Sequence, residues 1–368
     1  MNKVTLSICM ATRNRAGFIG ATLESIVCQA TDQVEIVILD GASTDNTEQV
    51  VRRYQERFPQ LRYFRQETNM GVDRDFAKAV DLAHGEYCWL FCDDDLLKPG
   101  AIRVVLDAIK HKYPLIVANS EVRSADLSTL LEPKKLPLTQ DRIYKSSEGR
   151  HLLIDTASYL SFIGCVIIKR QLWDSREKER YFGSYFIHVG VIFQGPLPGD
   201  TLAIAEPLVS IRYANASWLG KYFEIWMFKW PGLIWSFADF PDSVKNRVCH
   251  REPWRSPRAL LHFRAKGAYT KREYAEWLKP RLGSYWDRVV SKASATFPGR
   301  AANLLAFIYY SIFRRPSSRL LILLDLANSP FCFWRLPLRY RTPSRVSVMS
   351  TESQLPASAV RARRTSHQ

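Results

Sequence analysis

The chain has 368 residues, 46% hydrophobic and 12% aromatic, enough apolar side chain to bury a large core in one big domain or two smaller ones, and this excludes a disordered protein. Its formal charge of +16 is uneven: residues 1–215 carry 26 Lys+Arg against 27 Asp+Glu, and residues 216–368 carry 26 against 9. The seven cysteines include Cys9, Cys28, Cys88, Cys92 and Cys165 inside apolar segments, which argues against a disulfide framework and for reduced thiols in the cytosol.

From Lys3 to about Val122, short strand-like runs alternate with longer helix-like ones, the pattern of βαβ units on a mostly parallel sheet flanked by helices. The chain enters its first strand, Val4 to Met10, without an apolar leader, so a secretory signal is not expected. Ala16 to Gln29 reads as a helix with Phe18, Ile19, Leu23, Ile26 and Val27 on one face, followed by a strand from Val34 to Leu39. Ser43, Thr44 or Asp45 caps a helix running to about Arg57, and Leu61 to Phe64 is a third strand. Asp73 to His84 is predicted helical and closed by Gly85 in a left-handed cap, and Tyr87 to Cys92 is a buried strand. Pro99 opens a helix to about Lys112, and Leu115 to Val122 is a further strand. Residues 124–150 read as a polar surface excursion, and order returns at Leu160 to Lys169 and Tyr181 to Phe193.

Beyond Ser217 the chain turns Trp- and Arg-rich and mainly helical, with eight of the ten tryptophans between Trp218 and Trp334. Phe223, Trp226, Met227 and Trp230 fall at i, i+3, i+4, i+7, a stripe that is more often core than membrane contact. Basic residues mixed with aromatics suit an anionic membrane surface, nucleic acid, or the solvated exterior of a helical subdomain. The best apolar run, Leu304 to Phe313, falls short of the ~20 residues a spanning helix needs. The expected organisation is a catalytic domain over residues 1–217, a basic Trp-rich helical region over 218–341, and a disordered tail over 342–368.

Three polar clusters follow predicted parallel strands: Thr12-Arg13-Asn14-Arg15, Asp40 to Asp45, and Asp93-Asp94-Asp95. Ligands of open α/β sheets bind beyond the carboxyl ends of the strands, so the three are expected to line one crevice. Three adjacent carboxylates after a buried strand repel one another and resist desolvation, a cost that a divalent cation removes; the alternative is a solvated loop capping the Pro99 helix. Mg²⁺ or Mn²⁺ held by one or two carboxylates keeps positions open for phosphate oxygens. Asp40 can accept hydrogen bonds from a base or ribose, while Arg13 and Arg15 either meet phosphate or are solvated loop charges. For Asp45 the structural, capping role is the better reading.

At these residues the chain resembles the family 2 glycosyltransferases, through SICMATRNR from Ser7, VEIVILDGASTDNT from Val34, NMGVDRDFAKAVDLAHGEY from Asn69 and WLFCDDD from Trp89. The segment after Asn69, with SFIGCVIIKRQLW and EPLVSIRY, is most similar to the abequosyltransferase branch acting in O-antigen assembly. The resemblance covers residues 3–217 and implies a doubly wound GT-A domain. It implies that Thr12 and Asp40 hold the nucleobase and ribose end and that Asp94, with Asp93 or Asp95, handles the metal and diphosphate. The expected donor site is Thr12, Asn14, Arg15, Asp40, Asn69, Gly71 and Asp93, with Asp94 and Asp95 as the expected metal ligands. The family's pattern often has Asp where Cys92 stands and Asn where Asp75 stands.

The implied reaction is inverting transfer of a single sugar, such as a dideoxyhexose from a CDP donor, to a hydroxyl of a lipid-linked or other glycan acceptor in surface polysaccharide synthesis. The implied location is cytoplasmic, peripheral on the inner face of the cell membrane. Where the family commonly carries an Asp as catalytic base, residues 183–189 hold no carboxylate; His188 is then the substitute base or a packed histidine, with Asp174 in reserve. Two rivals remain. A sugar nucleotidyltransferase would want a Gly-rich phosphate loop, which Met10 to Asn14 lacks, and a nucleic-acid-binding protein would use the basic half without any recognisable zinc or RNA-binding signature.

Overall fold

The computed structural model describes residues 4–215, 219–313 and 316–334. The expected boundary at 217/218 and the tail from Thr342 lie outside the described residues.

The first part alternates as its periodicity predicts: β1 (Leu6–Thr12), α1 (Ile19–Val27), β2 (Val34–Asp40), α2 (Thr47–Arg57), β3 (Leu61–Arg65), α3 (Val72–Asp81) and β4 (Tyr87–Phe91). There follow β5 (Leu96–Leu97), α4 (Ala101–Ile109), β6 (Leu115–Arg123), β7 (Leu130–Glu132), β8 (Arg142–Tyr144), α5 (Gly149–Leu160), β9 (Val166–Lys169), α6 (Arg170–Asp174), α7 (Ile187–Phe193) and β10 (Thr201–Arg212). All the strands join one sheet in the order β3-β2-β1-β4-β9-β6-β10-β5, with β7 on β6 and β8 on β10. Strands β3, β2, β1 and β4 are mutually parallel; β9 runs antiparallel between β4 and β6.

Strand alternation divides the core between the two faces. Leu6, Ile8 and Met10 of β1 pack with Ile36 and Ile38 of β2, Trp89 of β4 and the helices α1 and α4. Cys9, Val37, Leu39, Cys88 and Leu90 face the other way, against α3, α5 and α7. A parallel strand covered on both faces must be apolar throughout, which is why Tyr87–Phe91 is buried at every position.

Two readings change and one long strand is added. Residues 124–150 contribute β7 and β8 as well as loops, and Thr201–Arg212 is a long strand. Gly85 does not adopt the left-handed conformation expected of it. A Cβ there would lie 2.7 Å from the Ser7 backbone nitrogen, so glycine is required by the close approach of β1.

In the C-terminal region, residues 222–235 form one helical run containing a π-helical turn at Ile225–Lys229. Phe223 and Met227 enter an aromatic cluster with Trp254, Phe263 and Tyr269, while Trp230 and Ile234 join the core beneath the sheet. The stripe is therefore core, with the π turn rotating successive side chains toward two clusters. The helices α8 (Pro257–Ala265), α9 (Tyr285–Thr296), α10 (Gly299–Phe313) and α11 (Pro316–Ala327) follow. Tyr213, just past β10, donates to Asp325 of α11 at 2.6 Å, and Lys266 pairs with the same carboxylate at 2.6 Å. No helix among the described residues is long and apolar enough to cross a membrane.

Candidate functional site

The parallel register brings the three clusters to one edge. Thr12 and Asp40 are Cα partners at the ends of β1 and β2, and Met10 is partnered with Phe91, two residues before Asp93. Asp40 is fully buried; its Oδ1 accepts the Ser43 N–H at 2.7 Å and its Oδ2 accepts the Tyr63 hydroxyl at 2.6 Å. These two bonds fix the carboxylate in place. Asn14, in the left-handed region at φ 55, accepts the Thr44 N–H at 2.7 Å and so ties the loop after β1 to that after β2. Asp45 has the structural role expected of it, accepting the N–H groups of Thr47 and Ala16.

Gly41 forms part of the crevice wall. A Cβ on it would lie 2.9 Å from Asp75 Oδ2 and 3.4 Å from Asn69 Oδ1, so Asp75 and Asn69 converge on the space it leaves. Asn69 accepts the Gly71 N–H at 3.0 Å, and Gly71, at φ 91, takes the left-handed turn into α3. Burial raises the Asp75 carboxyl above its ordinary range although Gln66 donates to it at 2.6 Å.

The acidic triplet is buried at the end of β4. Asp93 and Asp95 are 8% and 3% exposed. Arg15 approaches Asp93 at 3.3 Å and Asp94 at 3.4 Å, and also donates to the Asn215 carbonyl. Asn215 Nδ2 donates to Asp94 at 2.9 Å, and the Arg212 N–H donates to Asp95 at 2.8 Å. Burial nevertheless outweighs the Arg15 charge and pushes Asp93 up to about 7. It raises Asp94 against Arg15 and Asn215, and raises Asp95 further with help from the Asp94 charge. The cluster is short of positive charge even with Arg15 in place.

The donor set fits a divalent cation. Cys92 Sγ and carboxylate oxygens of Asp94 and Asp95 all lie within 4.8 Å of one another. Burial first, then the carboxylates of Asp95, Asp94 and Asp93, push the Cys92 thiol well up, and its soft sulfur matches Mg²⁺ or Mn²⁺ less well than oxygen does. The carboxylates of Asp94 and Asp95 remain, hard oxygens suited to Mg²⁺ or Mn²⁺. Beside them the Thr12 hydroxyl is buried without a hydrogen-bond partner of normal geometry, although it lies near enough to Asp93 to favour that carboxylate's charged form.

Of the two candidate bases, His188 is enclosed and Asp174 lies at the far end of the sheet. His188 is 1% exposed in α7, with Nε2 at 2.6 Å from the Leu160 carbonyl of α5. That contact fixes Nε2 as the protonated nitrogen and leaves Nδ1 buried without a partner. Burial lowers its pKa to about 4, so the imidazole is neutral and enclosed, the packed histidine of the two readings. Asp174 ends α6, which follows directly from Lys169; Lys169 is the partner of Tyr87 at the amino end of β4, the end opposite Asp93. Asp174 is half-exposed there and pairs with Arg170 at 3.5 Å, so it is corrected from reserve base to surface ion pair. An open cavity of about 520 Å³ lined by His111, Lys112, Lys169 and Asp200 also lies at this far end, away from the acidic triplet.

Because unfolded histidine binds its proton near pH 6.5 and native His188 only near pH 4, the unfolded state binds more protons between those values. Stability contributed by keeping His188 neutral is therefore complete above about pH 6.5 and falls as pH drops through that window. Relative to a His188→Gln variant, the parent should lose about 2 kcal/mol between pH 7 and pH 5 in urea unfolding. Parallel pH dependences for the two proteins would show this assignment to be wrong.

Sequence reasoning missed Asn215, Tyr63 and the anchoring role of Asp73. Asp73 is 4% exposed, and its carboxylate accepts N–H groups of Gly183 at 2.8 Å, Tyr185 at 2.9 Å and Ile187 at 3.1 Å. Arg212 lay within a segment carrying the family resemblance, but nothing local links it or Asn215 to carboxylates more than a hundred residues earlier.

A family model described as Glycosyl transferase family 2 matches residues 7–171. Over 234 residues, 59% of this chain and 69% of the relative, the sequence is 30% identical to the abequosyltransferase RfbV of Salmonella typhimurium. It is 29% identical over 181 residues, 49% of this chain and 56% of the other, to the GalNAc(5)-diNAcBac-PP-undecaprenol beta-1,3-glucosyltransferase of Campylobacter jejuni. Residues 1–349 of S. aureus TarS, crystallised in complex with UDP-GlcNAc, superpose with a TM-score of 0.52 at 14% identity, covering 88% of this chain and 91% of that one. That likeness is one of fold.

Proposed function

Since the chain belongs to glycosyl transferase family 2 and has the GT-A fold, we propose that it moves one sugar from a nucleotide-sugar, with inversion, onto a hydroxyl of a lipid-linked glycan in surface polysaccharide synthesis. The observation that carries the proposal is the buried acidic triplet at the end of β4, facing Thr12 and Asp40 across adjacent strand ends. Thr12 and Asp40 take the base and ribose end of the donor, with Asn14, Asn69 and Gly71 shaping the loops around it. Asp94 and Asp95 would hold the cation, which would supply positive charge to the diphosphate oxygens. Asp93 orients Arg15, whose guanidinium beside the triplet would meet the diphosphate oxygens of the donor. His188 and Asp174 are left out of this reading, the first for its enclosure and the second for its position at the far end of β4.

A dideoxyhexose and a CDP donor are favoured by the likeness to an abequosyltransferase, and a lipid-linked acceptor by the likeness to an enzyme named for a PP-undecaprenol substrate. The organisation proposed with this function is a catalytic unit over residues 1–217 and a basic helical region over 218–341 that rests on the inner face of the cell membrane. Thermal unfolding with UDP-, CDP-, GDP- and dTDP-sugars, with and without Mn²⁺, tests the donor. A CDP-sugar is expected to stabilise the protein most, and only with metal. Stabilisation by another nucleotide-sugar would overturn the CDP assignment, and release of pyrophosphate instead of nucleoside diphosphate would overturn transfer itself.

A further inference from the structure

We infer that α10 is an interfacial helix, which beds its outer face into an anionic lipid surface and so holds the catalytic unit against the membrane. This deepens the membrane part of the proposed function by assigning it to particular side chains. Leu305, Ile308, Tyr309, Ile312 and Phe313 recur at i, i+3, i+4, i+7 and i+8, one face of the helix, and all are exposed. Ile312 is 64% exposed and Phe313 69%. The opposite side of the same helix is satisfied within the protein: Ala302 and Tyr310 are buried, and Asn303 donates to the carbonyls of Ala265 and Leu326. On the outward face Tyr309 is contacted by Arg258 of α8, while Leu305, Ile308, Ile312 and Phe313 stay exposed.

The preceding helix α9 repeats the arrangement. It packs with α10 against α8, and turns Trp286, 71% exposed, and Val290 outward. Tryptophan and tyrosine are the aromatic residues favoured at a membrane–water boundary.

Charge decides what covers this face. From Tyr285 to Arg315 the sequence carries Arg288, Lys292, Arg300, Arg314 and Arg315 against one acid, Asp287, and Asp287 is paired with Arg255 at 3.0 Å. A second copy would bring the same excess of basic residues against itself and be repelled, whereas anionic headgroups complement it. Fifteen helical residues span only about 22 Å, less than the roughly 30 Å hydrocarbon core, so the helix lies along the surface.

The experiment is sedimentation of the full chain with vesicles of phosphatidylcholine alone and of phosphatidylcholine with phosphatidylglycerol. The parent is expected to bind the anionic vesicles at low salt. A Leu305→Ser, Ile312→Ser, Phe313→Ser variant is expected to bind at least tenfold less while keeping its melting temperature and its turnover of a water-soluble acceptor. Three outcomes overturn the inference: equal binding by parent and variant, no binding by the parent, or a parent that is dimeric in solution and becomes monomeric in the variant. Vesicle binding by a protein that turns over no nucleotide-sugar would leave α10 assigned and remove the proposed reaction instead.

Discussion

An Asp94→Asn, Asp95→Asn variant is expected to lose at least about a thousandfold in kcat/KM, on the order of 4 kcal/mol of transition-state stabilisation. The substitution keeps a carbonyl oxygen at each position, so the Arg212 N–H and the Asn215 amide retain acceptors. What it removes is negative charge, and burial already raises both carboxyls. In the absence of metal the variant should therefore unfold at the same temperature as the parent or higher, because a desolvated repulsive cluster has been relieved. Loss of activity with no loss of stability separates a binding cluster from a structural one. Nucleoside diphosphate release at parental rate in the presence of a chelator would remove the basis of the proposed function.

Replacing Asp73 by alanine should act in the opposite sense, destabilising the protein by roughly 3–5 kcal/mol. Three backbone N–H groups, of Gly183, Tyr185 and Ile187, lose their acceptor together in a part-buried segment. Two of those residues are left-handed, Gly183 at φ 82 and Tyr185 at φ 71, and tyrosine adopts that conformation at a cost of about 1–2 kcal/mol. The carboxylate holds the strained turn in place and leads it into α7; the Lys221 ammonium, 2.8 Å from the Tyr185 hydroxyl, steadies it from the C-terminal region. Amide exchange at residues 183–187 should accelerate in the variant well ahead of exchange in β1 and β4. Uniform acceleration across the sheet, or none, would mean that Asp73 does not anchor this segment.

Much of the placement of the polar clusters could be read from the chain because its signals are local. A fully apolar run such as Tyr87–Phe91 ends in carboxylates within two residues, and parallel strands in βαβ units deliver their carboxyl ends to one edge. The placing of Asp40, Asp93, Asp94 and Asp95 at one edge of the sheet was legible for that reason. Asn69 and Gly71 were named through the family pattern, and the structure places them in the turn before α3.

His188, Asp174, Asn215 and the outer face of α10 were decided by tertiary structure. Whether an imidazole is a base or a packed ring depends on which carbonyl it meets, and Leu160 is 28 residues away. Asp174 is excluded by the antiparallel run of β9, since a strand's direction sets which end of the sheet its successor occupies. Asn215 reaches Asp94 across 121 residues through the return of β10, and Gly85 is glycine because another strand crosses its Cβ position. In α9 and α10, apolar periodicity marks a face, but only the packing of α8 and α11 determines which face is covered and which is left to solvent or lipid. Sequence by itself determined the strand ends and the acids they carry, because periodicity and chain adjacency act over a few residues. Partners, burial and protonation were decided by the folded chain, because desolvation and hydrogen bonding depend on distances in space that sequence separation does not encode.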